Sequence, residues 1–251
     1  MKVALLAAGV GRRLDPAGTA PPKALLRFAG KSLLQRHLEI LRWFGLADIT
    51  LVVGHRAELI EGELAALGMR DRVRTRFNPD HRTSSLLSLW TLRDVLRAGQ
   101  PVLYMDADVL YDRRLLERLL RAPEEDCILI DRATDPDDEW LDVRVKGDRI
   151  VAFDKGVTLD DHDLRAEWVG FARFGAATAR LLAATTQSYV ESGRVEVSYE
   201  APMRDVILAT PGFGFAETGG LPWIEIDFPA DRRRAESEVL PRLVDLLPNP
   251  R

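Results

Sequence analysis

The run Val3-Ala4-Leu5-Leu6-Ala7-Ala8-Gly9-Val10-Gly11-Arg12-Arg13-Leu14, followed by Pro21-Pro22-Lys23-Ala24-Leu25-Leu26, decides how the chain is read. Val3–Ala7 is a short, continuously apolar stretch, the pattern of a strand buried on both faces. Glycines end it, and a loop rich in Gly and Pro continues to Pro22. Glycines directly after a strand let backbone N–H groups turn inward and approach an anion closely. Arg12, Arg13 and Lys23 add fixed positive charge suited to phosphate oxygens. Two common phosphate loops are excluded by spacing. A dinucleotide fingerprint needs a third Gly where Leu14 stands, and a P-loop ending at Gly30-Lys31-Ser32 needs a Gly where Leu25 stands.

Outward from this run, strands and helices alternate. Ile49–Val53, Val73–Phe77, Val102–Met105 and Cys127–Ile130 read as strands, with helices expected over Ser32–Phe44, Glu58–Leu67, Leu86–Leu96 and Leu115–Leu120. That order implies βαβ units and a mainly parallel sheet. Further on, Leu141–Val145 and Ile150–Phe153 flank Gly147-Asp148 as a hairpin. Trp168–Phe174 and Trp223–Ile226 read as strands, and Ala176–Tyr189 and Ala201–Leu208 as helices. A closing helix is expected over Ala230–Leu247, with Ala235, Val239, Leu243 and Leu246 on one stripe. The expected fold is one three-layer α/β/α domain over residues 1–251, with a mixed, mainly parallel, Rossmann-like sheet and a small β-hairpin insertion.

The 251 residues are 46% hydrophobic and 29% charged, with a net charge of −4, which argues against a protein built to grip nucleic acid or an anionic membrane. Cys127 is the one cysteine, so an intramolecular disulfide is impossible and a thiolate zinc site is not expected. No apolar run approaches the ~18 residues of a membrane span. The apolar start is short and meets Gly9 to Arg13 at once, which suits a strand entering a loop better than a signal peptide. A cytoplasmic protein is expected, with no membrane insertion.

Three further segments carry candidate chemistry. Tyr104-Met105-Asp106-Ala107-Asp108 ends a buried strand, where ligands of open α/β sheets gather. In extended chain Asp106 and Asp108 would point the same way, and Mg²⁺ favours one or two carboxylates together with substrate phosphates. Alternatively, Asp108 ends a turn and caps the next helix. Asp227, in Trp223-Ile224-Glu225-Ile226-Asp227-Phe228-Pro229, is either an N-cap or a second carboxylate facing the same metal. Lys155 stands at a strand end in a chain whose positive charge is mostly arginine. His37, His55, His81 and His162 show no metal-ligand spacing. Gly-x-Ser-x-Gly and His-Glu-x-x-His are absent, so serine-hydrolase and zinc-protease readings have no foothold.

Together these residues resemble the nucleotidyltransferases that activate sugar phosphates and small phospho-alcohols. The resemblance rests on Leu6 to Leu14 with Pro22-Lys23-Ala24-Leu25, and it runs from Met1 to about Leu240. Within that family the chain looks like the phosphocholine, inositol phosphate and aminoethylphosphonate cytidylyltransferases. Asn78 with Thr83 to Leu89, and Trp223 to Asp231, carry that likeness, although Ser84 and Ser85 stand where asparagines would be expected.

The resemblance implies a nucleotide-binding half at 1–130 and an acceptor half at 131–251, with the hairpin lining the acceptor site. It implies transfer of CMP from CTP to a phosphocholine-like phospho-alcohol or phosphonate, with release of pyrophosphate. Arg13, Lys23 and Lys155 would be catalytic. Leu6, Ala7, Ala8, Gly9, Val10, Gly11, Arg12, Asn78, Ser84, Ser85 and Asp106 would frame the nucleotide. Asp108 and Asp227 would hold Mg²⁺, and Trp140, Trp168, Tyr199, Glu200, Trp223 and Glu225 would line the acceptor site. The partners implied are small molecules, and a homodimer is compatible with the sequence. An inositol 1-phosphate or sugar 1-phosphate acceptor is the alternative substrate. A catalytically silent nucleotide-binding regulator and a glycosyltransferase are the alternative classes. Retention of Lys23 and the carboxylates counts against the first, and the Gly-x-Gly-x-Arg and Pro-Lys segments against the second.

Overall fold

The opening apolar run forms β1 (Lys2–Ala7), placed inside a sheet where both of its faces are covered. A computed structural model describes residues 1–132 and 141–244. Trp140, the acidic residues Asp137, Asp138 and Glu139, and Leu246 lie outside the described residues.

After β1 come β2 (Arg27–Phe28), β3 (Lys31–Ser32), α1 (Leu33–Trp43), β4 (Ile49–Val53), α2 (Ala57–Ala66) and β5 (Val73–Phe77). Then follow α3 (Ser85–Thr91), α4 (Arg93–Leu96), β6 (Val102–Asp106), β7 (Val109–Tyr111), α5 (Arg113–Arg121) and β8 (Cys127–Arg132). The second half holds β9 (Leu141–Lys146), β10 (Arg149–Lys155), β11 (Leu164–Phe174), α6 (Ala176–Glu191), α7 (Glu200–Ala209), β12 (Gly214–Glu217), β13 (Trp223–Glu225) and α8 (Pro229–Arg234).

The main sheet runs β10-β9-β11-β6-β1-β4-β5, with β8 beside β11 and β12 beside β8. β5, β4, β1 and β6 are parallel to one another, as the alternation of strands and helices predicts. Where β11 meets β6, β8 and β9 the pairing turns antiparallel, which makes the sheet mixed. Alternation along the strands separates two cores. Val3, Leu5, Leu51, Leu103 and Met105 face α1, α2 and α5. Ala4, Leu6, Val52, Val102 and Tyr104 face α3, α4, α6 and α7. This is the expected three-layer arrangement. Among the described residues, no helix is long and apolar enough to cross a membrane.

Two expected helices are shorter. The helix expected over Leu86–Leu96 divides at Leu92 into α3 and α4. The closing helix is regular only over α8, passes through a π-helical turn at Ala235–Val239, and ends in a 3₁₀ turn at Leu240–Arg242. Pro241 explains the stop, since it has no N–H and its ring crowds the preceding turn. Ala235 and Val239 still bury against Leu26, Phe28, Leu110, Ile224 and Ile226 in a third apolar cluster.

Candidate active site

That third cluster fixes the site. β13 pairs antiparallel with β7 (Trp223 with Tyr111, Ile224 with Leu110, Glu225 with Val109), and the Ile226 N–H donates to the Asp108 carbonyl at 3.1 Å. The ribbon therefore carries Asp227 alongside Asp108. Lys23, on a single 3₁₀ turn after Pro22, reaches both. Its Nζ donates to Asp108 Oδ2 at 3.0 Å and to Asp227 Oδ1. Arg13 Nη2 donates to Asp227 Oδ2 at 2.7 Å, and its guanidinium lies 5.3 Å from the centre of the Phe228 ring.

Both carboxylates were candidates for helix caps, and neither is one. Asp112 caps α5, accepting from the Arg114 N–H at 2.9 Å. At the start of α8, Asp231 accepts from the Asp227 and Phe228 N–H groups at 2.9 and 2.6 Å. Asp108 and Asp227 thus keep their carboxylates within the site.

Asp108, Glu225 and Asp227 each present an oxygen, and these oxygens lie within 4.8 Å of one another. Hard oxygen donors so grouped fit a hard divalent cation. Burial, then the charges of Asp108 and Asp227, push the Glu225 carboxyl well above the usual carboxylate range. Burial pulls the Lys23 ammonium down, but Asp108 and Asp227 outweigh it and the net shift is upward. Three carboxylates thus gather around Lys23, with Arg13 on the other oxygen of Asp227.

Asp106 has partners of its own. The chain turns after it, and the Ala107 N–H donates to the Leu6 carbonyl at 3.1 Å. Asp106 accepts from Tyr104 Oη at 2.9 Å and Tyr199 Oη at 2.7 Å. Burial, then the charge of Asp108, holds its carboxyl well above the ordinary range, and the tyrosine hydroxyls offset only part of this. Gly170 of β11, at φ +88°, passes so close that a Cβ there would lie 2.8 Å from Asp106 Oδ2.

A cleft of about 320 Å³ opens over this carboxyl. Trp168, Tyr199, Glu200, Trp223, Glu225, Asp227 and Lys155 all line it, as do Glu167 and Asp131. Trp168 is a wall: its Nε1 donates to the Phe171 carbonyl at 3.2 Å and its ring packs near Tyr104, Phe153 and Tyr199. Trp223 Nε1 donates to Asp131 Oδ2 at 2.8 Å. One carboxylate oxygen of Glu200 is buried with no hydrogen-bond partner among the described residues. Lys155 ends β10 and is exposed. The sequence reading names nine of the eighteen residues that line this cleft; Asp131, Arg132, Glu167, Gly170 and Arg234 are among those it missed. An acidic residue at the inner end of an apolar strand, as in Ile130-Asp131, is the signal that could have found one of them.

On the other side of Asp108, a recess of about 90 Å³ is lined by Leu6, Ala7, Gly9, Gly11, Lys23, Ala24, Ala107 and Asp108. Gly11 has φ +68°, and a Cβ there would meet Lys23 Cγ at 3.3 Å, so the lysine stem lies directly against the glycine loop. Ala8 is buried, Val10 half-buried and Arg12 exposed. Asn78 is buried away from the recess, with its Nδ2 donating to Ser88 Oγ at 3.0 Å and its Oδ1 accepting from the Asp80 N–H at 3.0 Å. Ser84 Oγ donates to the Val195 carbonyl, and Ser85 Oγ accepts from the Tyr199 N–H at 3.1 Å.

A glycine loop, a lysine and a carboxylate cluster lie at the carboxyl ends of a mixed α/β/α sheet of the nucleotidyltransferase type. The chain belongs to the MobA-like NTP transferase domain family, whose profile matches residues 3–153. It is 28% identical to the CMP-5'-(3-aminopropyl)phosphonate synthase of Streptomyces rubellomurinus over 96% of this chain and 39% of that protein. It is 34% identical to the bifunctional IPC transferase and DIPP synthase of Rubrobacter xylanophilus over 94% of this chain and 51% of that protein. The chain therefore spans about half, or less, of these curated relatives. Its fold matches the CTP:phosphocholine cytidylyltransferase structure from Streptococcus pneumoniae with a TM-score of 0.74, at 24% identity, covering 94% of this chain and 97% of that one.

Proposed function

We propose that the chain transfers CMP from CTP to a small phosphorylated alcohol or phosphonate, with Mg²⁺ as cofactor and pyrophosphate as the second product. The observation that carries this reading is the junction at Lys23. Asp108 lines the recess beside the glycine loop, Asp227 lines the cleft that Lys155 also lines, and Lys23 donates to both carboxylates. A triphosphate in the recess and an acceptor in the cleft would bring their reacting groups together there. The compared proteins support the substrate class, since two of them carry an aminopropylphosphonate and a phosphocholine in their names.

In the reaction, an acceptor phosphate or phosphonate oxygen attacks the α-phosphorus of CTP in line. The new O–P bond forms as the bond to the bridging oxygen breaks, and that oxygen leaves with pyrophosphate. The acceptor oxygen is already anionic, so positioning and charge neutralisation suffice. Arg13 and Lys23 hold the triphosphate and the leaving pyrophosphate, with Arg12 in support. The backbone of residues 6–11 frames the nucleotide, with Ser84 and Ser85 framing the base. Lys155 grips the acceptor's anionic group. Asp108 and Asp227 would hold Mg²⁺, which when bound neutralises phosphate charge. The Glu200 oxygen that has no partner among the described residues, with Glu225 and Glu167 lining the same cleft, favours an acceptor whose other end is a cation.

The test is Mg²⁺-dependent pyrophosphate release, with each nucleoside triphosphate crossed against phosphocholine, aminoethylphosphonate, inositol 1-phosphate and glucose 1-phosphate. Release with CTP and a cationic acceptor is expected, and Lys23→Ala or Asp108→Ala should abolish it. Release only with a sugar phosphate or another nucleotide would overturn the substrate assignment. Release of a nucleoside diphosphate in place of pyrophosphate would overturn the reaction.

A further inference from the structure

We propose that in the nucleotide-free chain the Lys23 ammonium occupies the cation position of the carboxylate cluster, so that divalent metal and nucleoside triphosphate bind well only together. This rests on the metal-dependent reading above and adds a coupling between its two ligands.

The cluster offers a cation oxygens from Asp108, Glu225 and Asp227, and the ammonium already uses two of these groups, at 3.0 Å from Asp108 Oδ2 and in hydrogen-bond contact with Asp227 Oδ1. Arg13 holds the other oxygen of Asp227 at 2.7 Å. A divalent cation drawing on these carboxylates competes with the ammonium for them. The contacts would be lost and the two positive charges would repel at short range in a poorly solvated place. Only 16% of the Lys23 side chain is exposed. Metal arriving alone must therefore displace Lys23 and leave it without an anionic partner.

A triphosphate changes the balance. The Lys23 stem lies along Gly11, on the same recess wall as Gly9, so its ammonium lies one side-chain swing from the anion-facing loop. Phosphate oxygens there would give both Lys23 and Arg13 new acceptors and free the carboxylates for metal. A flexible four-carbon stem bearing a compact charge suits such a movement. By linkage, whatever the triphosphate adds to metal affinity the metal adds to triphosphate affinity.

The test measures Mn²⁺ binding to the full chain by electron paramagnetic resonance, with and without CTP, subtracting the Mn²⁺–CTP complex formed in buffer. Lys23→Met keeps the stem and removes the charge, and Lys23→Gln is the second variant. Asp227→Asn is the ligand-loss control. Without nucleotide, both lysine variants should bind Mn²⁺ about tenfold or more tightly than wild type, within the usual range of such couplings. Mn²⁺ should also raise their melting temperatures more than that of wild type, and CTP should strengthen their Mn²⁺ binding less. Lysine variants that fold but bind Mn²⁺ no better than wild type would overturn the proposal. If no form binds Mn²⁺ even with CTP, the metal-dependent reading fails along with it. Tight wild-type binding of Mn²⁺ alone, unchanged by CTP, would sink the coupling while leaving the metal in place.

Discussion

Gly170→Ala tests whether Asp106 is the fixed point on which the cleft is built. Gly170 lies in β11 where pairing with β8 shifts register between Trp168 and Ala172, and its φ of +88° is one that L residues avoid. Backbone strain alone should cost about 1–2 kcal/mol. The new methyl would also lie 2.8 Å from Asp106 Oδ2 and 3.3 Å from Asp106 Cβ. A carboxylate at the surface could swing aside. This one is 8% exposed and held on both oxygens by Tyr104 and Tyr199, so any movement breaks a buried hydrogen bond. Such overpacking adds about 1–3 kcal/mol. The reduced freedom of the unfolded chain returns about 0.4–1 kcal/mol. The net loss should be roughly 2–4 kcal/mol, or about 5–15 °C in Tm for a chain of this size. Gly193→Ala is the matched control, with φ +75° and open space around its Cβ, so strain of about 1 kcal/mol is all it should show. Urea unfolding and melting curves of both variants give the comparison. Equal losses at the two positions would refute the argument from the Asp106 contact.

Other consequences follow from buried and terminal groups. Burial holds His37 neutral, with its pKa lowered to about 3, while the unfolded chain takes up that proton near pH 6.5. Stability from this group is therefore intact above about pH 6.5 and falls as pH drops toward 3, by at most about 1.4 kcal/mol per unit. Urea titrations at pH 7 and pH 5 should show wild type losing about 2 kcal/mol more than His37→Leu over that interval, and parallel losses would refute it. Asp112 is fully buried, caps α5, pairs with Arg114 and accepts from the Val244 N–H at 2.9 Å. Asp112→Ala should cost about 2–4 kcal/mol, and limited proteolysis should cut first near residue 244; an unchanged cleavage pattern would show that this contact does not anchor the segment. Lys155→Ala should raise the acceptor KM about tenfold with melting unchanged, and an unaltered acceptor KM would remove Lys155 from the acceptor site.

How much was legible in the sequence depended on whether the deciding interactions were local. β1, β4 and β6 carry their own apolar runs, and α1 carries its own Ser32 cap, accepting from the Gln35 N–H at 3.0 Å. β7 and β12 carry no such pattern. They are three and four residues long and exist because Val109–Tyr111 meets Trp223–Glu225 and Gly214–Glu217 meets β8, across more than 80 residues of sequence. The same distance hid the roles of the aspartates. A cap is a matter of one to four residues, and at that range Asp108 and Asp112, or Asp227 and Asp231, are equally good candidates. Only the long-range ribbon separates the carboxylates that cap from those that face Lys23. The strand ends at Asp106, so the alternation rule does not by itself extend to Asp108.

Tyr199 ties the start of α3 to the end of β6. Its backbone N–H is held by Ser85, at the start of α3 on the nucleotide side, while its hydroxyl is held by Asp106, at the end of β6. Its ring lies 5.4 Å from that of Tyr104 and 6.0 Å from that of Trp168. Ser84 adds a second tie, from the same helix start to the Val195 carbonyl. The start of α3 therefore cannot shift without moving the start of α7, where Glu200 enters the cleft. The proposed reaction needs no general base, so its rate would depend on the distance and line of approach between two bound phosphates. On that reading, a strut between the start of α3 and the cleft wall would set this distance from the protein side. Tyr104 and Tyr199, both donating to Asp106, fix the strut to the strand whose next turn carries Asp108.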